Sequence, residues 1–572
     1  MDAPKLRISL GACLTLAVSV LGTLRTCAAT ELELIPVGSH ATGLFGKSAA
    51  EIPAHCPATQ RVFVVNAESG RVDVLSLSAQ GQLKPLGEID ATTELAGRMN
   101  VVNSVAVSHG RLAVAVEANP DTDPGAVAFY DTDSLRFLGS VTAGAMPDMV
   151  AFSPDGRWVL VANEGEPNVD CTIDPEGTVT VIDLADGIDQ AVVRTVDFRD
   201  WNAGGSRAHE LPQLTAAGLR VSGRVTLSLE PYKSRPATFA EDVEPEWIEI
   251  SQDNSTAFVC LQENNAIAEI DIPSAKAKRL IPLGFKDHGR AGNELDVSDR
   301  DGGIRIKSWP GLYGVYHPDT IRLYSTNGRS YLVTANEGDS RVRPYADGLI
   351  DGFSEGAVYT DEVTLNHWPL VGSVFENLSG DGDLGRLRLV RDLVDAHLDE
   401  QGRPTKLFSF GGRSFSIFDV ETGELVFDSG SDFERITAER FPDNFNASND
   451  SVDFDNRSRS KGPEPEGIAI GVVDGRTYAF IGLERIGGIM VYEITDPRHA
   501  RFIRYVNNRN FSVPPQRADG SANPEARDSG IEGLIFIPEN QSPTGKPLVV
   551  VGNETSGTTT VWAVTANGVT EP

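Results

Sequence analysis

Apolar positions along the chain fall in short runs broken by turn residues. VFVVNAESGRVDVLSL begins at Val62, LAVAVEANPDTDPGAVAFYD at Leu112, and VLVANEGEP at Val159, which leads to GTVTVIDL (177–184). AFVCLQENNAIAEIDI begins at Ala257, YLVTANEGDSR at Tyr331, YAFIGLERIGGIMVYEI at Tyr478 and LVVVGNETSGTTTVWAV at Leu548. In each, a β-rich run ends on a Glu, with or without Asn, a short turn follows, and usually a second β-rich run. That pattern predicts a hairpin used seven times. A further strand is predicted upstream of each, within 50–60, 102–110, 147–158, 245–255, 318–328, 465–475 and 531–540. Turn dipeptides such as Asp155-Gly156, Asn327-Gly328 and Asp474-Gly475 join it to the next strand. Runs such as RFLGSVTAG (136–144) supply a fourth.

Four antiparallel strands repeated about seven times predict an all-β fold, a seven-bladed, WD40-like β-propeller. The last repeat stops after three strands, and TELELIPVG (30–38) alternates like a strand. It is expected to take the missing place and close the ring, so that 30–572 forms one propeller domain. Unequal repeat spacing implies insertions near 190–235, 275–315, 342–404 and 430–460. Of these, only the third carries a convincing helix pattern, with leucines at helical spacing over 384–398.

The composition, 40% hydrophobic and 23% charged over 572 residues, is that of an ordinary globular chain. The first 29 residues stand apart. Lys5 and Arg7 precede the apolar run 10–22, and Cys27-Ala28-Ala29 follows. This reads as a secretory signal peptide, too short in its apolar part to span a bilayer. The C-terminal VWAVTANGVTEP carries no hydrophobic anchor. The expectation is an exported, unanchored protein, periplasmic or extracellular, with no membrane insertion after cleavage.

Without the leader, 80 acidic residues face 47 basic ones, a net charge of −33. Such a chain repels nucleic acid and anionic membranes and attracts cations or a cationic ligand. Cys56, Cys171 and Cys260 allow at most one disulfide, and their spacing is not that of a zinc site. GxSxG, P-loop, HExxH and CxxCH patterns do not occur.

The acids follow the hairpins. In an antiparallel pair the start of one strand lies beside the end of the next. Strand starts carry Glu51, Asp148, Glu246, Asp319, Glu466 and Glu532, with Asn103 in the second repeat. Strand ends carry Glu68, Glu117, Glu164, Glu263, Glu337, Glu484 and Glu554. Innermost strands of a propeller start on one face, so up to thirteen carboxylates are expected at one mouth of the channel. Such crowding calls for protons, basic partners or metal ions. Arg341 and Arg485 are candidate partners. Oxygen ligands without histidine favour Ca²⁺ first, or another hard divalent ion. The competing reading is that each acid only bonds strand-end amides and caps a turn. Two insertions add acids: Asp296, Asp299 and Asp301 before a glycine pair, and Asp450, Asp453 and Asp455 in NDSVDFDN. The first resembles a calcium loop without matching the full pattern.

PDMVAFSPDGRWVLVAN followed by GTVTVIDL resembles a YVTN-type propeller repeat. ANEGEPN (162–168), LGFKDHGRAGNELDVSDRDGG (283–303), ANEGDSR (335–341), FGGRSFSIFD (410–419), the stretch 430–471 and the stretch 531–562 are similar to the choice-of-anchor I family. That resemblance implies a secreted or surface propeller, attached by one of several anchors or by none. It includes mesenchyme-specific cell-surface glycoproteins and proteins labelled atypical alkaline phosphatases, and it transfers no catalytic residue.

Three functions follow as expectations. One is a cation-binding propeller with a surface or scaffolding role. The second is a metal-dependent phosphoric-ester hydrolase, for which Asp287, His288 and Arg290 in FKDHGR are the candidate proton-transfer or phosphate-contact groups. The third is a non-catalytic module that docks another surface protein.

Overall fold

In the computed structural model, described over residues 31–95, 99–168, 173–222, 236–343 and 359–567, the predicted hairpins are built into seven four-stranded antiparallel sheets. Their innermost strands are Pro53–Cys56, Met99–Ser108, Pro147–Phe152, Pro245–Ile250, Ile321–Thr326, Pro465–Val473 and Ile531–Ile537. Each of these packs on the next, and the last packs back on the first. The sheets therefore close into the ring of a β-propeller, consistent with the seven blades expected.

Burial explains the sequence pattern. Trp158–Asn163 and Leu548–Asn553, second strands of their blades, are buried at every position. Such a strand lies between two neighbouring blades, so it reads as a continuous apolar run rather than an alternating one. Outer strands face water: Leu83–Ile89 is buried only at its two ends. The N-terminal strand Glu31–Ala41 pairs antiparallel with Thr558–Asn567 and completes the last blade, as expected, with Leu34 opposite Val564. Leu32 and Leu34 lie in the core between the last two blades.

The insertions build a layer of their own. Phe285–Asp287, Leu312–Val315, Leu407–Phe410, Leu389–Val390 and Glu362–Val363 form a five-stranded sheet. Leu312–Val315 and Leu407–Phe410 run parallel within it. A separate core that includes Trp309, Trp368, Phe375 and Phe408 lies beneath.

The helix expected over 384–398 is not present as such. A 3₁₀ turn (Leu384–Arg386), a two-residue strand and a five-residue helix (Arg391–Asp395) stand in its place. Leu384, Leu387, Leu389, Val390 and Val394 are all buried in this core. The apolar spacing thus serves irregular packing, and tertiary contacts override helix propensity. The longest helix among the described residues is Asp432–Arg440, nine residues in the fourth insertion.

Cys56 and Cys260 are buried free thiols in different blades. Cys171 and the leader 1–29 lie outside the described residues.

Candidate cation site at the channel mouth

Each inner strand is irregular where its acid sits. The register shifts between Pro147 and Val150, Pro245 and Ile248, Pro465 and Ile468, and Ile531 and Leu534. In the first blade Glu51 N–H donates to the Val65 carbonyl, while Val65 N–H donates to that of Ile52. Ala335 treats Asp319 and Thr320 the same way. Two residues opposing one make a β-bulge, which re-aims a side chain. The bulge turns the acid from the blade toward the axis.

The strand-end pair Asn-Glu divides two tasks. Asn163 is fully buried. Its Oδ1 accepts from Gly144 N–H at 3.0 Å, and its Nδ2 donates to the Thr178 carbonyl and to Thr180 Oγ1 at 3.1 and 3.0 Å. Asn336 Nδ2 donates to Ser416 Oγ at 2.8 Å, and Asn553 Nδ2 to the Thr558 carbonyl at 2.9 Å. The Asn ties the end of the blade, and the next residue, Glu164, Glu337 or Glu554, is directed to the mouth.

Most of the predicted acids converge. A cavity of about 210 Å³ is lined by Glu51, Asn103, Asp148, Glu246, Asp319 and Glu532, from six blades. A larger one of about 390 Å³ shares Ile52, Ser104, Met149 and Trp247 with it and continues between the inner strands. Asp148, Glu164 and Glu246 each offer an oxygen within 4.8 Å of the others, and Glu337, Glu466 and Glu484 do the same. Glu117 and Glu554 flank the set: Asn103 Nδ2 lies 3.4 Å from Glu117, and Ser48 Oγ donates to Glu554 at 3.2 Å.

Glu68 departs from the prediction. In the first blade the Glu follows Asn66 by two residues rather than one, inside the 3₁₀ turn Ala67–Ser69. Its side chain is about half exposed and meets Lys47 at 3.5 Å.

The charges are unevenly compensated. Burial, then Asp319 and Glu117, pushes Asp148 up to about 7. Burial, then Glu164 and Asp148, raises Glu246 well above the usual carboxylate range. Burial, then Glu337, takes Asp319 up to about 7. Burial, with Glu554 the next cause in each case, raises Glu51 and Glu532. Burial, then Glu244, lifts Glu263 to about 8, and its Oε2 is buried without a hydrogen-bond partner among the described residues, as is Glu466 Oε2.

Across the mouth, cations intervene. Buried Lys461 pairs with Glu337 and lies 3.2 Å from both Asp339 and Glu464. Arg485 bonds Glu464 at 2.8 Å and Glu484 at 2.7 Å. Glu464 is held well below the usual range: burial is outweighed by Arg457, Arg485 and Lys461. Arg341 pairs with Glu244 at 2.7 Å rather than with Glu337. Lys461, Glu464, Asp339 and Glu244 were not singled out from the sequence. The acidic run KGPEPEG (461–467) around Glu466 is the signal that marks two of them.

The FKDHGR residues do not form a site. Asp287 and Arg290 make a surface pair at 3.2 Å, with Arg290 78% exposed. His288 is buried, its Nδ1 is 2.8 Å from the Asn293 carbonyl, and burial and then Lys286 hold it down to about 3. Asp299 also leaves its neighbours: Arg386 bonds it at 2.8 Å and Arg459 lies at 3.3 Å. Asp296 and Asp301 instead meet Asp455 from the other acidic insertion.

Closed blades around an acid-lined axis define the class of this molecule as a β-propeller. The chain belongs to the choice-of-anchor I family, whose domain model matches residues 51–497. Gigasin-3a of Magallana gigas is 33% identical over 168 residues, 28% of this chain and 59% of the relative. The mesenchyme-specific cell surface glycoprotein of Strongylocentrotus purpuratus is 28% identical over 331 residues, 53% of this chain and 40% of the relative. The chain thus spans about half the length of these relatives. Among solved structures, hydrazine synthase of Kuenenia stuttgartiensis is similar with a TM-score of 0.42 and 14% identity, covering 93% of this chain and 98% of that one. A streptogramin B lyase has a TM-score of 0.41 and 10% identity, with coverage of 94% of this chain and 98% of that one.

Proposed function

We propose that this protein is an exported propeller that binds a divalent cation, calcium by preference, at Asp148, Glu164 and Glu246, in a surface or scaffolding role. The observation that carries the reading is the approach of these three carboxylates to within 4.8 Å. Unit charges at that distance repel by roughly 3 kcal/mol per pair at an effective dielectric of about 20. The strongest influences on Glu246 are burial and four other acids, Glu164, Asp148, Glu263 and Asp319. A hard ion removes that repulsion and accepts oxygen ligands alone. Asp319, Glu51 and Glu532 line one cavity with Asp148 and Glu246 and extend the ligand set.

The triad Glu337, Glu466 and Glu484 is the weaker candidate, because Lys461 and Arg485 already pair with two of its members, Glu337 and Glu484. A surface or exported location is supported by the family and by the name of the sea-urchin relative. No helix among the described residues is long and apolar enough to cross a membrane. Asp287, His288 and Arg290 lend no support to the hydrolase reading, since they do not converge.

Calorimetric titration of the metal-free protein with calcium tests the proposal. Binding is expected in the native chain and at least tenfold weaker in Glu246→Gln, whose circular dichroism should match the parent. Absence of binding by the native chain would remove the reading.

A further inference from the structure

Away from the axis, the two insertions that carry acidic loops meet. Asp296 and Asp301 come from one and Asp455 from the other, and each offers an oxygen within 4.8 Å of the others. Asp296 and Asp455 are 1% and 2% exposed. A buried cation nearby is committed elsewhere: Arg413 pairs with Glu434 and donates to the carbonyls of Asp296, Ser458 and Ser460. Arg305 approaches Asp301 at 3.6 Å from a side chain that is 45% exposed. Burial lifts Asp296 to about 6 and Asp455 to about 8, with Asp296 the largest charge acting on Asp455.

A second observation points to a ligand. Asn446 is fully buried, and its Oδ1 has no hydrogen-bond partner among the described residues. Its amide is fixed within the cluster: Nδ2 donates to Ser458 Oγ at 2.8 Å and lies 3.4 Å from Glu434 Oε1. Ser458 Oγ in turn donates to Asp455 Oδ1. A buried carbonyl-type oxygen without a donor is costly to leave unsatisfied, and the amide that carries it reaches Asp455 through Ser458. Oxygens about 2.4 Å from a shared Ca²⁺ lie within about 4.8 Å of each other.

We infer that Asp296, Asp301, Asp455 and the amide oxygen of Asn446 form a second calcium site, distinct from the axial one, that ties the two insertions together. Three carboxylates and one neutral amide give the hard, oxygen-only set that calcium takes, with water completing the shell. The main-chain amides of Ser298 and Arg305 hold Asp296, and that of Gly303 holds Asp301. These bonds leave each carboxylate lone pairs for a metal.

Hydrogen exchange by mass spectrometry on the full chain, with calcium and with chelator, tests the site in the native protein, Glu246→Gln and Asp455→Asn. Calcium should slow exchange at least tenfold in both 295–305 and 446–458. That protection should persist in Glu246→Gln and be lost in Asp455→Asn. No protection of these segments in the native chain would overturn the inference, whether or not Asp455→Asn folds. Undiminished protection in Asp455→Asn would do so too. Strands around 148, 164 and 246 report the axial site separately, so failure of one site is distinguishable from failure of the other.

Discussion

Lys461 shows how a single residue decides where the ring of acids is tolerable. Its ammonium, 7% exposed, serves Glu337, Asp339 and Glu464 together. Removing one member of a buried ion cluster strands its partners, at a cost of about 3–5 kcal/mol. Lys461→Met is therefore expected to lower unfolding stability in urea by that amount, and loss of less than 1 kcal/mol would contradict the role given to it. Asp148 and Glu246 have no such partner among their main influences, and there an ion is the alternative. At this scale the sequence was readable in part. The Asn-Glu signature located Glu164, Glu337 and Glu554, because a strand end facing the axis is a local feature. It misplaced Glu68, where one extra residue between Asn66 and the Glu rotates the side chain outward. It did not mark Lys461, whose partners Glu337 and Asp339 belong to another blade, and it passed over Glu464, whose partners Arg457, Lys461 and Arg485 are near in the chain or in the same blade.

Neighbouring blades must approach closely for the acids to meet, and glycines beside the bulges permit it. A Cβ on Gly467 would lie 2.2 Å from the carbonyl oxygen of Glu532, and one on Gly552 would lie 1.7 Å from that of Glu51. On Gly533 it would meet Pro53 Cδ at 2.8 Å. Gly552→Ala forces backbone apart at the junction of the first and last blades, and overpacking of this kind costs typically 1–3 kcal/mol. The expected outcome is a melting temperature lower by several degrees, measured by calorimetry. An unchanged melting point would show that the junction yields more easily than its geometry implies. Blade strands and the closing strand Glu31–Ala41 were legible because their burial comes from regular neighbours on both sides. The 384–398 helix was not, since its leucines pack into an irregular core assembled from four distant segments. The pairing of Asp296 and Asp301 with Asp455 was equally invisible: sequence shows two acidic loops, and only the fold joins them.

For the whole molecule, the ring makes stability depend on pH in an unusual sense. Asp148 and Asp319 at about 7 and Glu263 at about 8 bind protons more tightly folded than unfolded, where carboxyls titrate near 4. Their contribution is complete below about pH 4 and is lost as pH rises through 7 to 8. Metal-free protein should therefore melt at a lower temperature at pH 8.5 than at pH 5. Calcium should raise the melting temperature more at pH 8.5, where the ligands are ionised. A metal-free profile that is flat, or rises, would count against the acids being crowded as described. The most direct measurement of the central claim is anomalous scattering from crystals soaked in terbium, a calcium substitute with a strong signal. The account predicts a peak bounded by Asp148, Glu164 and Glu246 at the mouth of the channel. Saturated crystals with no peak in the axial cavity would contradict it.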